Sequence, residues 1–212
     1  NSEKIGYVTQ GGKFKAILLP EKTTKIKTLK TSNASSKKVY VLSEDNKLYA
    51  WSEDNHSFTP IYLPIHNLDC FADDENGNLW LGSFNEGLVC YNPSTQEIRS
   101  WDTSNGLPDN HVKNIIIDSE QNIWISSTNY ISRLTPSTGR FVYVRDMNLG
   151  TEAEYRKGCI SMDGKLCYLG KDGITIIDPF SKDFKQTEKD DEIPLFLDRI
   201  ESNGSLFNLD GQ

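Results

Sequence analysis

Asp74-Glu-Asn-Gly-Asn-Leu-Trp-Leu-Gly-Ser83 begins as a polar run closed by Asn-Gly and ends as an apolar run holding a tryptophan. An Asn-Gly pair supplies the left-handed backbone that a tight antiparallel turn requires, and apolar runs of this length suit strands rather than helices. Leu68-Asp-Cys-Phe-Ala72 precedes it, and Asn85-Glu-Gly87, Leu88-Val-Cys-Tyr91, Asn92-Pro-Ser-Thr95 and Glu97-Ile-Arg-Ser-Trp101 follow. Four short strands alternate with turn residues, which describes one meandering sheet.

The unit recurs. Leu19-Pro20, Leu63-Pro64 and Leu107-Pro108 stand 44 residues apart, and an aromatic ladder at Trp80, Trp124 and Tyr168 keeps the same step. A third unit runs through Val112–Asp118, Asn122-Ile-Trp-Ile-Ser126, Ile131-Ser-Arg-Leu134 and Phe141-Val-Tyr-Val144. A first unit carries Lys38-Val-Tyr-Val-Leu-Ser43 at an offset of 40, placing Tyr40 at the Trp80 position. A fourth contains Gly158-Cys-Ile-Ser-Met162, Leu166-Cys-Tyr-Leu-Gly170 and Ile174-Thr-Ile-Ile177, with a last strand expected near Phe184. Lys4–Val8 and Lys13–Ile17 match the closing half of a further unit. A period in the low forties with strand-type alternation indicates propeller blades. The expected fold is all-β, a partial β-propeller of about four and a half four-stranded blades over residues 1–186. Residues 187–212 are expected to hold a charged linker and the first hairpin of a truncated β domain, with Ile193–Ile200 and Ser205–Phe207 as its strands. Trp80, Trp124, Tyr168 and Tyr40 are the expected repeat core, because large flat rings fill the gap between stacked twisted sheets. Each Leu-Pro pair is expected at the crossover from the outer strand of one blade to the inner strand of the next.

Composition narrows the function classes. The 212 residues carry a net charge of −7, so a broad basic face for a phosphate backbone is not expected, and neither is a nucleic-acid partner. No apolar run reaches the length of a spanning helix, so no direct membrane contact is expected of this stretch. Cys70, Cys90, Cys159 and Cys167 lack the spacing of a zinc site, and no metal or cofactor is expected. Cys159 and Cys167 flank a turn at Asp163-Gly164 and could face each other. His56, His66 and His111 fall in turns and loops where polar residues are the ordinary occupants, so no catalytic residue is assigned. Asp73–Asn78 superficially suggests a calcium loop, but its glycine register would put Ala72 at the first ligand position; it reads as a hairpin turn.

The stretch Asn105-Gly-Leu-Pro-Asp-Asn-His-Val112, through Asp118, Asn122-Ile-Trp-Ile-Ser126 and Ile131-Ser-Arg-Leu-Thr-Pro136, resembles the two-component regulator propeller repeat. The second unit matches it in Asp74–Ser83 and Gly87–Pro93, while the first and last units are degenerate. The tail from Glu192 to Phe207 resembles the start of the Tyr-rich immunoglobulin-like domain that follows such propellers. The resemblance implies the last blades of a second seven-bladed propeller in the periplasmic sensor region of a hybrid two-component histidine kinase, an inner-membrane protein. It further implies an oligosaccharide or other periplasmic signal as ligand, with no enzymatic chemistry in these residues.

Sugar recognition uses an aromatic platform beside planar polar side chains, since a pyranose has an apolar face and a hydroxyl rim. Tyr155 and Arg156 with Glu152, where a polar segment replaces the Leu-Pro crossover, form the leading candidate cluster; Asn110 with His111, and Tyr130, are the others. The expected partners are the ligand, the remainder of the sensor ectodomain, and a second copy of the chain across an open sheet face. Two alternatives stand beside the sensor: a propeller lyase or hydrolase, and a non-catalytic interaction scaffold.

Overall fold

The computed structural model describes residues 5–8, 11–17, 25–32, 38–52, 56–128, 130–145, 157–170, 173–181, 199–202 and 205–208. These contain strands and turns and no helix. A two-stranded sheet pairs β1 (Ile5–Val8) with β2 (Phe14–Ile17). The second sheet runs β3 (Ile26–Thr31), β4 (Val39–Ser43), β5 (Leu48–Ser52), β6 (Ser57–Ile61). The third runs β7 (Leu68–Asp73), β8 (Leu79–Ser83), β9 (Leu88–Tyr91), β10 (Ile98–Trp101). The fourth runs β11 (Asn114–Ile117), β12 (Ile123–Ser126), β13 (Tyr130–Thr135), β14 (Arg140–Arg145). The fifth contains β15 (Lys157–Ile160), β16 (Leu166–Leu169), β17 (Ile174–Ile177), β18 (Arg199–Ser202) and β19 (Ser205–Asn208). Half a blade followed by four larger antiparallel sheets is the partial propeller that the repeat predicts.

Burial orients each blade. The closing strand β10 is largely exposed, whereas β8 and β12 are buried throughout. The opening strand β11 lies beside the opening strands β7 and β15 of its neighbours, so first strands line the inside of the arc. Leu63 and Leu107 of the crossovers pack into the cores between sheets, and Leu107 is 3% exposed. Leu19-Pro20 lies outside the described residues.

Alternation along the second strand of each blade determines which neighbour each side chain meets. Leu79 and Leu81 of β8 face back to Tyr40 and Leu42, while Trp80 faces forward to Val112, Ile115, Ile123 and Ile125. Gly82 shares the forward face, and a Cβ there would lie 2.5 Å from Val112 and 2.6 Å from the Cys70 sulfur. β12 repeats the scheme, with Trp124 reaching Leu166 and Tyr168.

The fourth rung of the ladder is buried core as expected but faces the opposite way. Tyr168 is fully buried, but it shares the backward-facing side of β16 with Leu166 and packs onto Trp124. Asp74 N–H donates to Asn78 O, Asp118 N–H to Asn122 O and Ser161 N–H to Lys165 O, so these three turns are equivalent. Two residues beyond them stand Trp80, Trp124 and Cys167. The last unit is one residue shorter before this strand, and with side chains alternating at period two that single residue exchanges the faces.

Within the turns, buried carboxylates gather backbone and side-chain donors. Asp74 accepts from the N–H groups of Asn76 and Asn78, from Asn78 Nδ2 and, at 3.0 Å, from Trp80 Nε1. Asp118 does the same for Glu120, Asn122 and Trp124. The hairpin reading of Asp73–Asn78 therefore has a physical basis: a clasp that closes the turn and orients the tryptophan. Gly77 takes a φ of 79° in the first clasp, and Gln121 adopts 63° at the same place in the second. A left-handed non-glycine residue costs ~1–2 kcal/mol and glycine's extra unfolded freedom offsets ~0.5–1 kcal/mol. Gln121→Gly is therefore expected to stabilise the protein by up to about 1 kcal/mol, read as a raised melting midpoint. The bond lost is an exposed one from Glu75 N–H at 3.3 Å.

The hairpin expected within Ile193–Phe207 contributes β18 and β19, and β18 pairs with the edge of β17 through Ile174 and Glu201. A bare sheet edge offers unpaired N–H and C=O groups, and this pairing satisfies part of them. The last-blade strand expected near Phe184 lies outside the described residues.

Candidate functional site

One rim of the arc gathers the crossover loops and the turns between second and third strands. Val112 N–H donates to Ser83 O, Gly87 N–H to Asn110 O and Phe84 N–H to Asn67 O. Ser83 Oγ donates to His66 O at 3.2 Å. These bonds stitch residues 65–67, 83–87 and 109–112 into one layer.

Within it, Asp109 accepts from His111 N–H at 2.9 Å and from Thr128 N–H at 3.4 Å, fixing the crossover against the next turn. The His111 ring lies against Phe84, with centroids 4.3 Å apart, and its Nε2 is 3.4 Å from Asp69 Oδ2. The other carboxylate oxygen of Asp69 takes Lys27 Nζ at 2.8 Å, and Lys27 also donates to Leu68 O. Lys27, Asp69 and His111 thus form a polar spoke across three successive blades. The arrangement offers a cation, a carboxylate and an imidazole beside an aromatic face, all partly exposed, which suits hydrogen bonding to a hydroxylated ligand.

Of the residues singled out from sequence, His111 belongs to this spoke. Asn110 lies in the same layer, but its side-chain oxygen is engaged by Thr103 N–H at 2.9 Å. Tyr130 is half-buried at the start of β13, and its carbonyl closes the turn from Ser127 N–H. Glu152, Tyr155 and Arg156 lie outside the described residues. His66 is exposed beside Glu86, and His56 contacts Trp51 at a centroid distance of 6.2 Å. Sequence reasoning overlooked Lys27, Asp69 and Phe84. A partial signal was present: Lys27 and Asp69 hold the second position of β3 and β7, so the repeat brings them side by side, whereas His111 comes from the crossover two residues ahead of the equivalent position, Lys113.

The opposite rim holds a cleft of about 160 Å³ lined by Asp73, Asp74, Glu75, Ile117, Asp118, Ser119 and Gln121. Its acidity is committed to the fold: Asp74 and Asp118 are the turn clasps, and Asp73 accepts from Ser32 Oγ. Among the described residues no group of three or more His, Cys, Asp or Glu side chains is arranged to hold a metal ion. No helix in them is long and apolar enough to cross a membrane.

Stacked antiparallel blades with a polar rim of crossover loops define a partial β-propeller. Residues 106–129, covering the crossover with His111 and the Asp118–Trp124 clasp, match the two component regulator propeller family model. In fold, the chain is similar to virginiamycin B lyase from Staphylococcus aureus, with a TM-score of 0.66 at 19% identity over 83% of this chain and 60% of that one. It is also similar to the extracellular domains of two proposed hybrid two component systems from B. thetaiotaomicron. One gives a TM-score of 0.64 at 16% identity over 93% of this chain and 29% of that one. The other gives 0.66 at 17% identity over 80% and 26%. The chain therefore spans 60% of the lyase and between a quarter and a third of the sensor ectodomains. No curated protein matches the sequence significantly.

Proposed function

We propose that this chain is part of an extracytoplasmic, ligand-sensing and signal-transmitting module of a hybrid two-component sensor, responding to oligosaccharides. The carrying observation is the two component regulator propeller repeat at residues 106–129, set in a blade stack similar to sensor ectodomains. The crossover-loop rim supports a sugar ligand, because His111, Asp69 and Lys27 offer donors and acceptors beside the Phe84 ring. Glu152, Tyr155 and Arg156, which follow β14 in the sequence, are proposed as further ligand contacts. Transmission requires a ligand that binds two arrangements of the ectodomain unequally. The test is calorimetric titration of the intact sensor ectodomain against an oligosaccharide panel. Tyr155→Ala with Arg156→Ala is expected to weaken binding at least about tenfold, the equivalent of ~1.4 kcal/mol; unchanged affinity would remove that cluster from the ligand site.

A second reading is a lyase, favoured by the fold likeness to virginiamycin B lyase and by an imidazole within reach of a carboxylate at His111 and Asp69. Incubation of the chain with the same glycans, followed by product analysis, separates the two. The sensor reading expects no turnover.

We also propose self-association through the forward face of the last sheet. The corresponding faces of β4, β8 and β12 are each covered by the following blade. On the last sheet, Leu169, Ile174 and Ile176 are exposed at 53%, 51% and 42%. Apolar sheet faces seek cover. Sedimentation at rising concentration is expected to show a dimer, and Ile174→Lys with Ile176→Glu to shift it to monomer.

A further inference from the structure

Equivalent cross-strand pairs stand on the forward faces of successive blades, Ala72 opposite Trp80 and Ile116 opposite Trp124. In the last sheet both members are cysteine, with Cys159 opposite Cys167. Ser161 N–H donates to Lys165 O at 2.8 Å, which makes those residues a hydrogen-bonded pair. Two residues further along each strand, Cys159 and Cys167 belong to the same class. Opposed residues of that class have Cα atoms ~5.5 Å apart, inside the ~4.4–6.8 Å that a disulfide spans, and Cβ atoms toward ~5.5 Å, so closing the bridge draws the two strands together by about 1 Å. On earlier blades this face is sealed by the next sheet. In the single chain Cys159 is exposed and Cys167 half-buried, so a small reagent reaches them before a second copy covers this face. Cys70 and Cys90 are buried in the core between the third and fourth sheets, where burial pushes the Cys70 thiol up to about 12.

We propose that Cys159 and Cys167 are a redox-modification site: a reversible cross-strand disulfide on the forward face of the last sheet. The oxidant is a small disulfide such as glutathione disulfide. The Cys159 thiolate attacks one of its sulfurs, forming a mixed disulfide and expelling one glutathione thiolate. Cys167 gives its proton to solvent and attacks the Cys159 sulfur, expelling the second. Two protein S–H bonds are lost and one S–S bond forms, while two electrons and two protons reduce the donor to two thiols. Burial raises the Cys167 thiol, which fits it for the resolving role behind the exposed Cys159.

The test equilibrates the native chain in glutathione buffers from reducing to oxidising, quenches with acid, unfolds, alkylates and maps peptides by mass. The expected result is loss of two of the four alkylatable thiols on oxidation, with a linked Cys159–Cys167 peptide and full reversal by dithiothreitol. In Cys159→Ser, Cys167 is expected to remain alkylatable or to carry one glutathione. The inference is overturned if, with the β-sheet circular dichroism spectrum unchanged, four thiols stay alkylatable at every ratio. Separate glutathione adducts without a linked peptide, or a bridge to Cys70 or Cys90, overturn it equally.

Discussion

Replacing Trp80 by alanine is expected to cost about 3–5 kcal/mol, the range for deleting a buried large aromatic side chain. At 1% exposure the ring loses its whole surface to a cavity between sheets. Three contacts disappear together: the forward packing on Val112, Ile115 and Ile125, the near-parallel stack on Trp101 at 5.5 Å, and the Nε1 bond to Asp74. The hole has little means of closing, because both walls are rigid sheets and Gly82 already holds β8 close to Val112. For a protein of this size, ~2–4 °C per kcal/mol translates the loss into a melting midpoint lowered by roughly 10 °C. Trp80→Phe serves as the companion measurement. It retains most of the apolar volume, and Asp74 keeps its bonds from Asn76 and Asn78, so its loss should be less than half as large. Equal losses for Ala and Phe would instead place the whole effect in the indole N–H.

The blade could be read from sequence because its information is local. Asn76-Gly77 states its own turn, alternating apolar residues state a strand, and a step of 44 residues makes each unit a check on the next. Tyr168 lies in the interblade core as its place on the ladder implies, but the direction it faces is not legible, for the complementary reason. Counting along the chain preserves spacing, but facing is set by the turn closed between Ser161 and Lys165, and one missing residue before it reversed the side chain. The rim was legible only in part. His111 stood out as a loop histidine, whereas Asp69 reads as an ordinary polar residue at the start of a strand and Lys27 as one charge among many. Their association exists only once three blades are wound side by side, because each contributes a single side chain. The edge pairing of β18 on β17 was equally hidden, since an apolar segment followed by Asn203-Gly204 specifies a hairpin and not the sheet it joins. Period-two patterning determines what a residue faces; it leaves open which neighbour lies there.

Asp118→Ala is expected to destabilise by about 3 kcal/mol or more, although it removes a charge and leaves a smaller side chain in a turn. The loss comes from donors left behind, since a buried hydrogen-bonding group without a partner costs ~1–3 kcal/mol. Asp118 is 2% exposed and accepts from Glu120 N–H at 2.9 Å, Asn122 N–H at 2.9 Å, Asn122 Nδ2 at 3.1 Å and Trp124 Nε1 at 2.8 Å. Glu120 is exposed, so its N–H can turn to water. Asn122 and Trp124 lie at 8% and 0% exposure and have no such recourse. The turn and the ring should therefore fail together, and a double-mutant cycle tests this. Trp124→Phe deletes the indole donor that Asp118 serves, so combining it with Asp118→Ala should be less damaging than the sum of the single variants by about 1 kcal/mol, within the range for side chains sharing a hydrogen bond. Chemical unfolding of the four proteins supplies the measurement. Strict additivity would mean that the carboxylate acts on its own turn alone; coupling would establish the clasp as the device by which a surface hairpin holds an interblade tryptophan in place.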